Sequence, residues 1–284
     1  MNTINLICPG QSVIQFKTII FPDGQPHIKI DVESSARLNK NEPLKVITRI
    51  AGANDLMMVL FAKSALDYLQ FEQIELHISY LLAARMDRVM LDGEPFSIKV
   101  IAAILNQPGF KKILIFDPHS EMSTALIERS YTITNHLFVQ DCLADYFSKN
   151  PPANYCLVSP DAGALKTIHK LAQHLNFFDV VECMKKRDLK TGQLTNFKVF
   201  IESLQNKTCF IIDDICDGGG TFAGTAAALK QVGANKIVLV ISHGIFSKGF
   251  KLENTDEIYT TDSYRELSDV PDGVTVFSIA KYIG

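Results

Sequence analysis

Short apolar runs of strand length alternate with segments of helical period along most of the chain, and this alternation constrains the fold more than any other feature. "LKVITRI" (44–50), "IELHISYL" (74–81), "KKILIFD" (111–117), "NYCLVSPD" (154–161), "KTCFIIDD" (207–214) and "KIVLVISHG" (236–244) read as strands. Between them, "NDLMMVLFAKSALDYLQ" (54–70), "PFSIKVIAAILNQ" (95–107), "ALKTIHKLAQHL" (164–175) and "TFAGTAAALKQV" (221–232) read as helices, the last closed by Gly233, a residue suited to a left-handed cap. Strands that are apolar throughout are buried on both faces, so the pattern predicts parallel sheets flanked by helices.

A chain of 284 residues makes one large or two ordinary domains. Two prolines interrupt the pattern in "FSKNPPANY" (147–155), which predicts domains over 1–148 and 149–284. "TVFSIAKYI" (275–283) predicts a final strand that either domain, the N-terminal one included, can take up. "ILIFDPHSEMSTALI" in the first half loosely echoes "FIIDDICDGGGTFAG" in the second, a hint of duplication.

Composition narrows the functional class. With 47% hydrophobic and 21% charged residues the chain can bury a core. A formal charge of −3 argues against a broad nucleic-acid or membrane surface, and no apolar run reaches the ~20 residues of a membrane span. "MNTINLICPGQS" lacks a basic segment and a long apolar stretch, so no signal peptide is expected. The six cysteines are scattered without a CxxC, which predicts a reduced, cytoplasmic setting with neither disulfides nor a cysteine zinc site.

The chemistry concentrates in "FIIDDICDGGGT" (210–221). Ligands of open α/β sheets bind beyond the carboxyl ends of the strands. Gly218, Gly219 and Gly220 let backbone amides approach a phosphate, a helix N-terminus offers unpaired N–H groups, and Thr221 adds a hydroxyl. Asp213 and Asp214 instead suit hydroxyl donors or a divalent cation. Together they describe a sugar phosphate: the acids take the ribose hydroxyls and the loop from Asp217 to Thr221 takes the 5-phosphate. No GxxxxGK[ST] or strand-linked GxGxxG is present, which sets aside P-loop and Rossmann readings.

This stretch resembles the diphosphoribosyl-binding signature shared by type I phosphoribosyltransferases and ribose-phosphate diphosphokinases. Other segments point to the second group. "FPDGQ" (21–25) is similar to its F-x-DGE, "ARMDR" (84–88) to A-R-Q-D-R, "FDPHS" (116–120) to D-L-H-S, "SPDAGALK" (159–166) to S-P-D-A-G-G, and "SHGIFSKG" (242–249) to T-H-G-x-x-S-x-G, in the family's order along nearly the whole chain. The resemblance implies an α/β fold of two tandem phosphoribosyltransferase-like domains, each a mostly parallel sheet flanked by helices. The first would carry the ATP motifs and the second the ribose 5-phosphate loop.

It also implies roles. Phe21, Asp23, Gln25, Arg85, Asp87, Arg88 and His119 fall on the ATP side, and arginine forks suit phosphates. Asp161, which by itself reads equally as a helix cap or a metal ligand, joins His119 as a Mg²⁺ contact. "CMKKRDLKTGQLTNF" (183–197), in itself a basic hairpin tip, matches a mobile loop that assigns Lys185 and Arg187, together with His119, to catalysis; a one-residue slip would promote Lys186. The implied reaction moves the β,γ-diphosphoryl group of ATP, with Mg²⁺, to the 1-hydroxyl of ribose 5-phosphate, giving phosphoribosyl pyrophosphate and AMP. A homodimer or hexamer is implied, and no nucleic-acid or membrane partner.

Departures from the family pattern sit at ligand-facing motifs. Gln25 stands for glutamate, Met86 for glutamine, Leu81 and Leu82 occupy the family's P-Y-x-x-Y segment, and Gly218 and Gly219 replace threonine and alanine. The glycines remove a hydroxyl donor and open room. A second acceptor therefore stays in view, a ribose 5-phosphate group within a larger nucleotide such as ADP-ribose. A non-catalytic regulatory paralogue is a third reading. A phosphoribosyltransferase would leave the ATP-side motifs without a purpose.

Overall fold

The computed structural model describes residues 2–151, 154–187 and 194–284. The chain divides into two compact units, Met1–Thr134 with Ile279–Gly284, and Asn135–Ser278. In the first unit, β1 (Asn2–Asn5) is followed by the antiparallel hairpin β2 (Phe16–Ile20) and β3 (Pro26–Ile30), then α1 (Val32–Ala36), β4 (Leu44–Thr48), α2 (Ala53–Tyr68), β5 (Ile74–Ile78), α3 (Ser97–Asn106), β6 (Lys112–Phe116), α4 (Glu121–Leu126) and β7 (Ser130–Ile133). The main sheet runs β1-β4-β5-β6-β7 and is parallel throughout.

Alternation along each strand decides what faces the helices. Leu44 and Val46, Ile74, Leu76 and Ile78, and Ile113 and Ile115 pack into one core with Leu56, Val59 and Leu66 of α2 and Ile98, Ala102 and Leu105 of α3. Burial of each Leu, Ile or Val here contributes about 1.5–3 kcal/mol, so the helical stripe rather than propensity holds α2 and α3 in place.

The second unit contains α5 (His136–Lys149), β8 (Tyr155–Ser159), α6 (Leu165–His174), β9 (Val180–Arg187), β10 (Leu194–Val199), β11 (Thr208–Cys216), α7 (Gly220–Gln231), β12 (Lys236–Gly244), β13 (Glu257–Thr261) and β14 (Val274–Phe277). Its sheet runs β10-β9-β8-β11-β12-β13-β14, parallel except for the antiparallel edge pair β9 and β10. β11 is central, fully buried over its first five residues, and opens only where Asp213 and Asp214 begin. Asp213 and Ile215 still pair in register with Ile241 and His243 of β12.

The boundary between units falls at 134/135, not at the prolines near 151. The reason is α5, whose buried Phe138, Val139, Cys142, Leu143 and Tyr146 give it a stripe that belongs to the second core. Tyr146 meets Phe210 edge-on at 5.1 Å, and Asp145 accepts a 2.9 Å hydrogen bond from Tyr259. The run 275–283 is not one strand. Val274–Phe277 pairs with β13, and the chain then turns into α8 (Ala280–Ile283), which belongs to the first unit and whose Ile283 carbonyl bonds His77 at 2.8 Å. Among the described residues no helix is long and apolar enough to cross a membrane.

Candidate active site

In the second unit the strand β11 delivers Asp213 and Asp214 to the carboxyl edge of the sheet, and the turn into α7 follows at once. Gly219 is the residue that makes this turn. It caps α7 in the left-handed region at φ 75°, and its carbonyl accepts the Ala223 N–H at 3.0 Å. The positive φ calls for glycine, and a Cβ there would also force the Leu252 side chain to shift. α7 starts at Gly220, one residue before the expected Thr221.

Three carboxylates gather at this edge. Asp213 is half-buried, and its carboxyl accepts the Asp214 N–H at 3.0 Å. Burial, then the charges of Asp214 and Asp161, push its pKa well above the ordinary carboxyl value. Asp161, at the carboxyl end of β8, behaves differently. One oxygen accepts the Gly163 and Ala164 N–H groups at 2.8 and 3.0 Å, while the other lies 2.7 Å from the Lys185 ammonium. Burial pushes its pKa up, but the lysine and the two amides outweigh it and hold the group below the carboxyl range. Asp161 thus caps the turn before α6 and pairs with a lysine at the same time.

Lys185 ties the edge together. Its ammonium also donates to Thr221 Oγ1 at 3.2 Å, so one side chain from β9 bridges the turn after β8 and the start of α7. The basic stretch 183–197, which reads in itself as a hairpin, overlaps the antiparallel pair β9–β10; Lys185 sits within it, and the β10 strand rests on α7 where a Cβ on Gly224 would run into the Phe197 ring. Arg187 ends β9, opposite Leu194, and Lys186 precedes it; the side chains of both lie outside the described residues, as do residues 188–193.

A second wall of the glycine loop was not legible as such in the sequence. The connection after β12 folds back over it. Ile245 and Phe246 donate their N–H groups to the Cys216 carbonyl at 2.9 and 3.1 Å, and Ser247 donates to Asp217 Oδ1 at 2.6 Å. The stem of Lys248 lies over Gly218, with Cδ and Cε 3.6 Å from where a Cβ would be. A hydroxyl and a lysine just past the strand beside β11 were the available signal.

The remaining expected residues lie in the first unit, in two places. Phe21, Asp23 and Gln25 form the tip of the β2–β3 hairpin. Asp23 accepts from both the Gln25 N–H at 3.1 Å and its amide at 3.0 Å, and Asn54 of α2 donates to the Gly24 carbonyl at 3.2 Å. Arg85, Asp87 and Arg88 follow β5. Arg88 donates twice to Asp87, at 2.9 and 3.2 Å, although the arginine is 69% exposed. That ion pair, opposed by burial and helped by the nearby His119, lowers the Asp87 pKa. His119 is exposed on the turn between β6 and α4, and Arg85 is exposed beside Met86.

Among the described residues no three His, Cys, Asp or Glu side chains are grouped to hold a metal unaided. The oxygen donors Asp213, Asp214 and Asp161 nevertheless fit Mg²⁺, which is usually held by one or two carboxylates, waters and substrate phosphates. Burial, then the neighbouring charges of Asp214 and Asp161, raise Asp213, and a cation bound among them would oppose that shift.

Residues 129–278 match the phosphoribosyl transferase domain. The chain is 31% identical over 237 residues to ribose-phosphate pyrophosphokinase 1 of Streptococcus mutans, covering 82% of this chain and 71% of that one. It is 29% identical over 202 residues to the ribose-phosphate pyrophosphokinase of Corynebacterium glutamicum, a match over 69% of this chain that spans only 61% of the length of that relative. The fold matches the crystal structure of phosphoribosylpyrophosphate synthetase from Mycobacterium smegmatis with a TM-score of 0.78 at 21% identity, over 96% of this chain and 89% of that one.

Proposed function

Because the chain belongs to the phosphoribosyl transferase-domain family, among the ribose-phosphate pyrophosphokinases, we propose that it transfers a diphosphoryl group from ATP to the 1-hydroxyl of ribose 5-phosphate. The hydroxyl oxygen attacks the β-phosphorus, the bond from that phosphorus to the oxygen bridging it to the α-phosphorus breaks, and AMP leaves carrying the bridging oxygen. The hydroxyl proton is released, and phosphoribosyl pyrophosphate is formed. The observation that carries this reading is the meeting of Lys185, Asp161 and Thr221 beside Asp213 and Asp214 at the mouth of a glycine loop.

Each group then has work suited to its chemistry. Asp213 and Asp214 accept hydrogen bonds from the ribose 2- and 3-hydroxyls. The amides from Asp217 to Thr221 hold the 5-phosphate at the start of α7. Lys185, released from Asp161 as phosphate arrives, stabilises charge on the transferred group, with Arg187 as its partner. Asp161, Asp213 and Asp214 are the carboxylates to hold Mg²⁺, which when bound neutralises phosphate charge. Phe21, Asp23, Gln25, Arg85, Asp87, Arg88 and His119 serve ATP; an imidazole suits a hydrogen bond to phosphate, and a carboxylate is the better direct Mg²⁺ ligand. The assembly is a homodimer or hexamer, and the compartment the cytoplasm.

One observation keeps a larger acceptor as a second reading. At Gly218 the atoms nearest the missing side chain are those of the flexible Lys248 stem, which favours a loop that admits an acceptor continuing beyond its 5-phosphate, such as ADP-ribose. A turnover assay with ATP, Mg²⁺ and either acceptor, following AMP, tests both. AMP release with ribose 5-phosphate is the expected result. Release with ADP-ribose alone replaces it by the second reading, and silence with both acceptors leaves a non-catalytic role.

A further inference from the structure

We propose that Lys248 is an acceptor-binding residue: its ammonium grips the 5-phosphoryl group of the ribose acceptor from outside the Asp217–Thr221 loop. This rests on the reading of that loop as the acceptor phosphate site. Lys248 has no part in the roles assigned above.

The segment that carries Lys248 is held rigidly against the loop. Two N–H groups, from Ile245 and Phe246, converge on the Cys216 carbonyl, and Ser247 ties down one oxygen of Asp217. Phe246 takes a positive φ of 44°, a costly conformation for a bulky residue, and is kept there by burial of its ring. That ring occupies the space a side chain on Gly244 would need and packs 4.8 Å from Phe250. Leu252 fills the corresponding space beside Gly219. The connection after β12 is therefore a built wall.

Lys248 is the cationic element of that wall. Its stem lies flat over Gly218, which has no side chain to hold it off, and its ammonium is one bond beyond a carbon 3.6 Å from the Cβ position. The side chain is exposed, and among the described residues no hydrogen bond or ion pair engages the ammonium. The loop has a need for such a charge. Asp217 stands at its first position and Asp213 and Asp214 lie just before it, so an incoming phosphate meets nearby carboxylates. Gly218 offers no hydroxyl, and a lysine reaching across supplies the donor in a charge-assisted form. Ser247 donates to one Asp217 oxygen and so engages part of the acid's charge.

A ribose 5-phosphoryl group can come as a monoester in ribose 5-phosphate or as a diester in ADP-ribose. The test is steady-state kinetics of wild type, Lys248→Met and Lys248→Arg with each acceptor, alongside calorimetric binding of each acceptor and thermal melting. Met keeps most of the stem over Gly218 and removes the charge. The expected result is an acceptor KM raised about tenfold in K248M, with kcat and the KM for ATP unchanged, most of the loss recovered in K248R, and the difference shrinking as salt rises. The acceptor showing the larger loss is the one Lys248 serves. If wild type turns over an acceptor and K248M matches it, or K248M alters only the KM for ATP, the assignment is overturned while the loop reading stands. If wild type neither binds nor turns over either acceptor, the loop reading falls and takes Lys248 with it. Should melting show that K248M is misfolded, Lys248→Gln at the same exposed position gives the readout.

Discussion

The turns after β6 and after β11 grow from one local plan, an apolar parallel strand leading through an acid and a short loop into a helix, yet they present different surfaces. After β6, Asp117 makes the turn at φ 38° without glycine, Pro118 and the exposed His119 follow, and α4 is only six residues long. After β11, Gly219 makes the turn at φ 75° and α7 runs for twelve residues. The first turn presents a proline, which has no N–H to offer, and the exposed His119 side chain. The second exposes backbone amides at the head of a long helix, where partial charges add. Two turns of similar plan thus present different surfaces because a different residue takes the positive φ, Asp117 in one and Gly219 in the other.

The sharpest way to break that contrast is to make the second turn resemble the first. Gly219→Val places a β-branched side chain at positive φ and against Leu252, for an expected loss of about 3 kcal/mol in denaturant unfolding and no measurable acceptor turnover. For Gly218→Ala the nearest atoms are the Lys248 stem at ordinary contact distance, so its unfolding curve should overlay wild type. Next in size is Lys185→Met, which removes the charge bridging Asp161 and Thr221. AMP formation should fall about 100-fold at saturating substrates, read as kcat, with Tm lowered as Asp161 loses its partner. In the other turn, His119→Ala removes one side-chain contact and should raise the KM for ATP about tenfold while leaving the acceptor KM alone. An equal effect on both substrates would erase the distinction between the turns.

The smallest effect is one of pH. Asp213 has a raised pKa in the folded protein, from burial and from Asp214 and Asp161. A carboxyl raised in this way binds its proton more tightly folded than unfolded. It therefore weakens the fold as pH climbs above the unfolded value near 3.8. Asp213→Asn keeps an acceptor for the Asp214 N–H and removes the charge, so it should melt above wild type at about pH 8, the gap closing below about pH 4. A gap that persists in acid would place the cause in packing.

Much of the architecture was legible because periodicity survives folding. The buried strands at 44, 74, 112, 155, 208 and 236, and the four long helices between them, appear where their apolar spacing put them. The differences have local causes. The prolines at 151 and 152 mark a break in the sequence pattern, but the buried stripe of α5 before them ties that helix to Phe210 and Tyr259 of the second unit. The last apolar run reads as a single strand because nothing in its composition shows that partners for pairing with β13 end at Phe277.

The sequence by itself determined the parallel sheets and the acid-glycine turn at the end of β11, because both are written in neighbouring residues: apolar runs of a given length, and glycine where only glycine tolerates the backbone. Tertiary structure alone decided the partners of that turn. Lys185 meets Asp161 and Thr221, and Ser247, Lys248 and Leu252 close over the glycines, only because β9, β8, β11 and β12 end side by side or nearly so at one edge of a sheet. Side chains separated by tens of residues acquire their electrostatics from who stands next to them, and no local pattern records that.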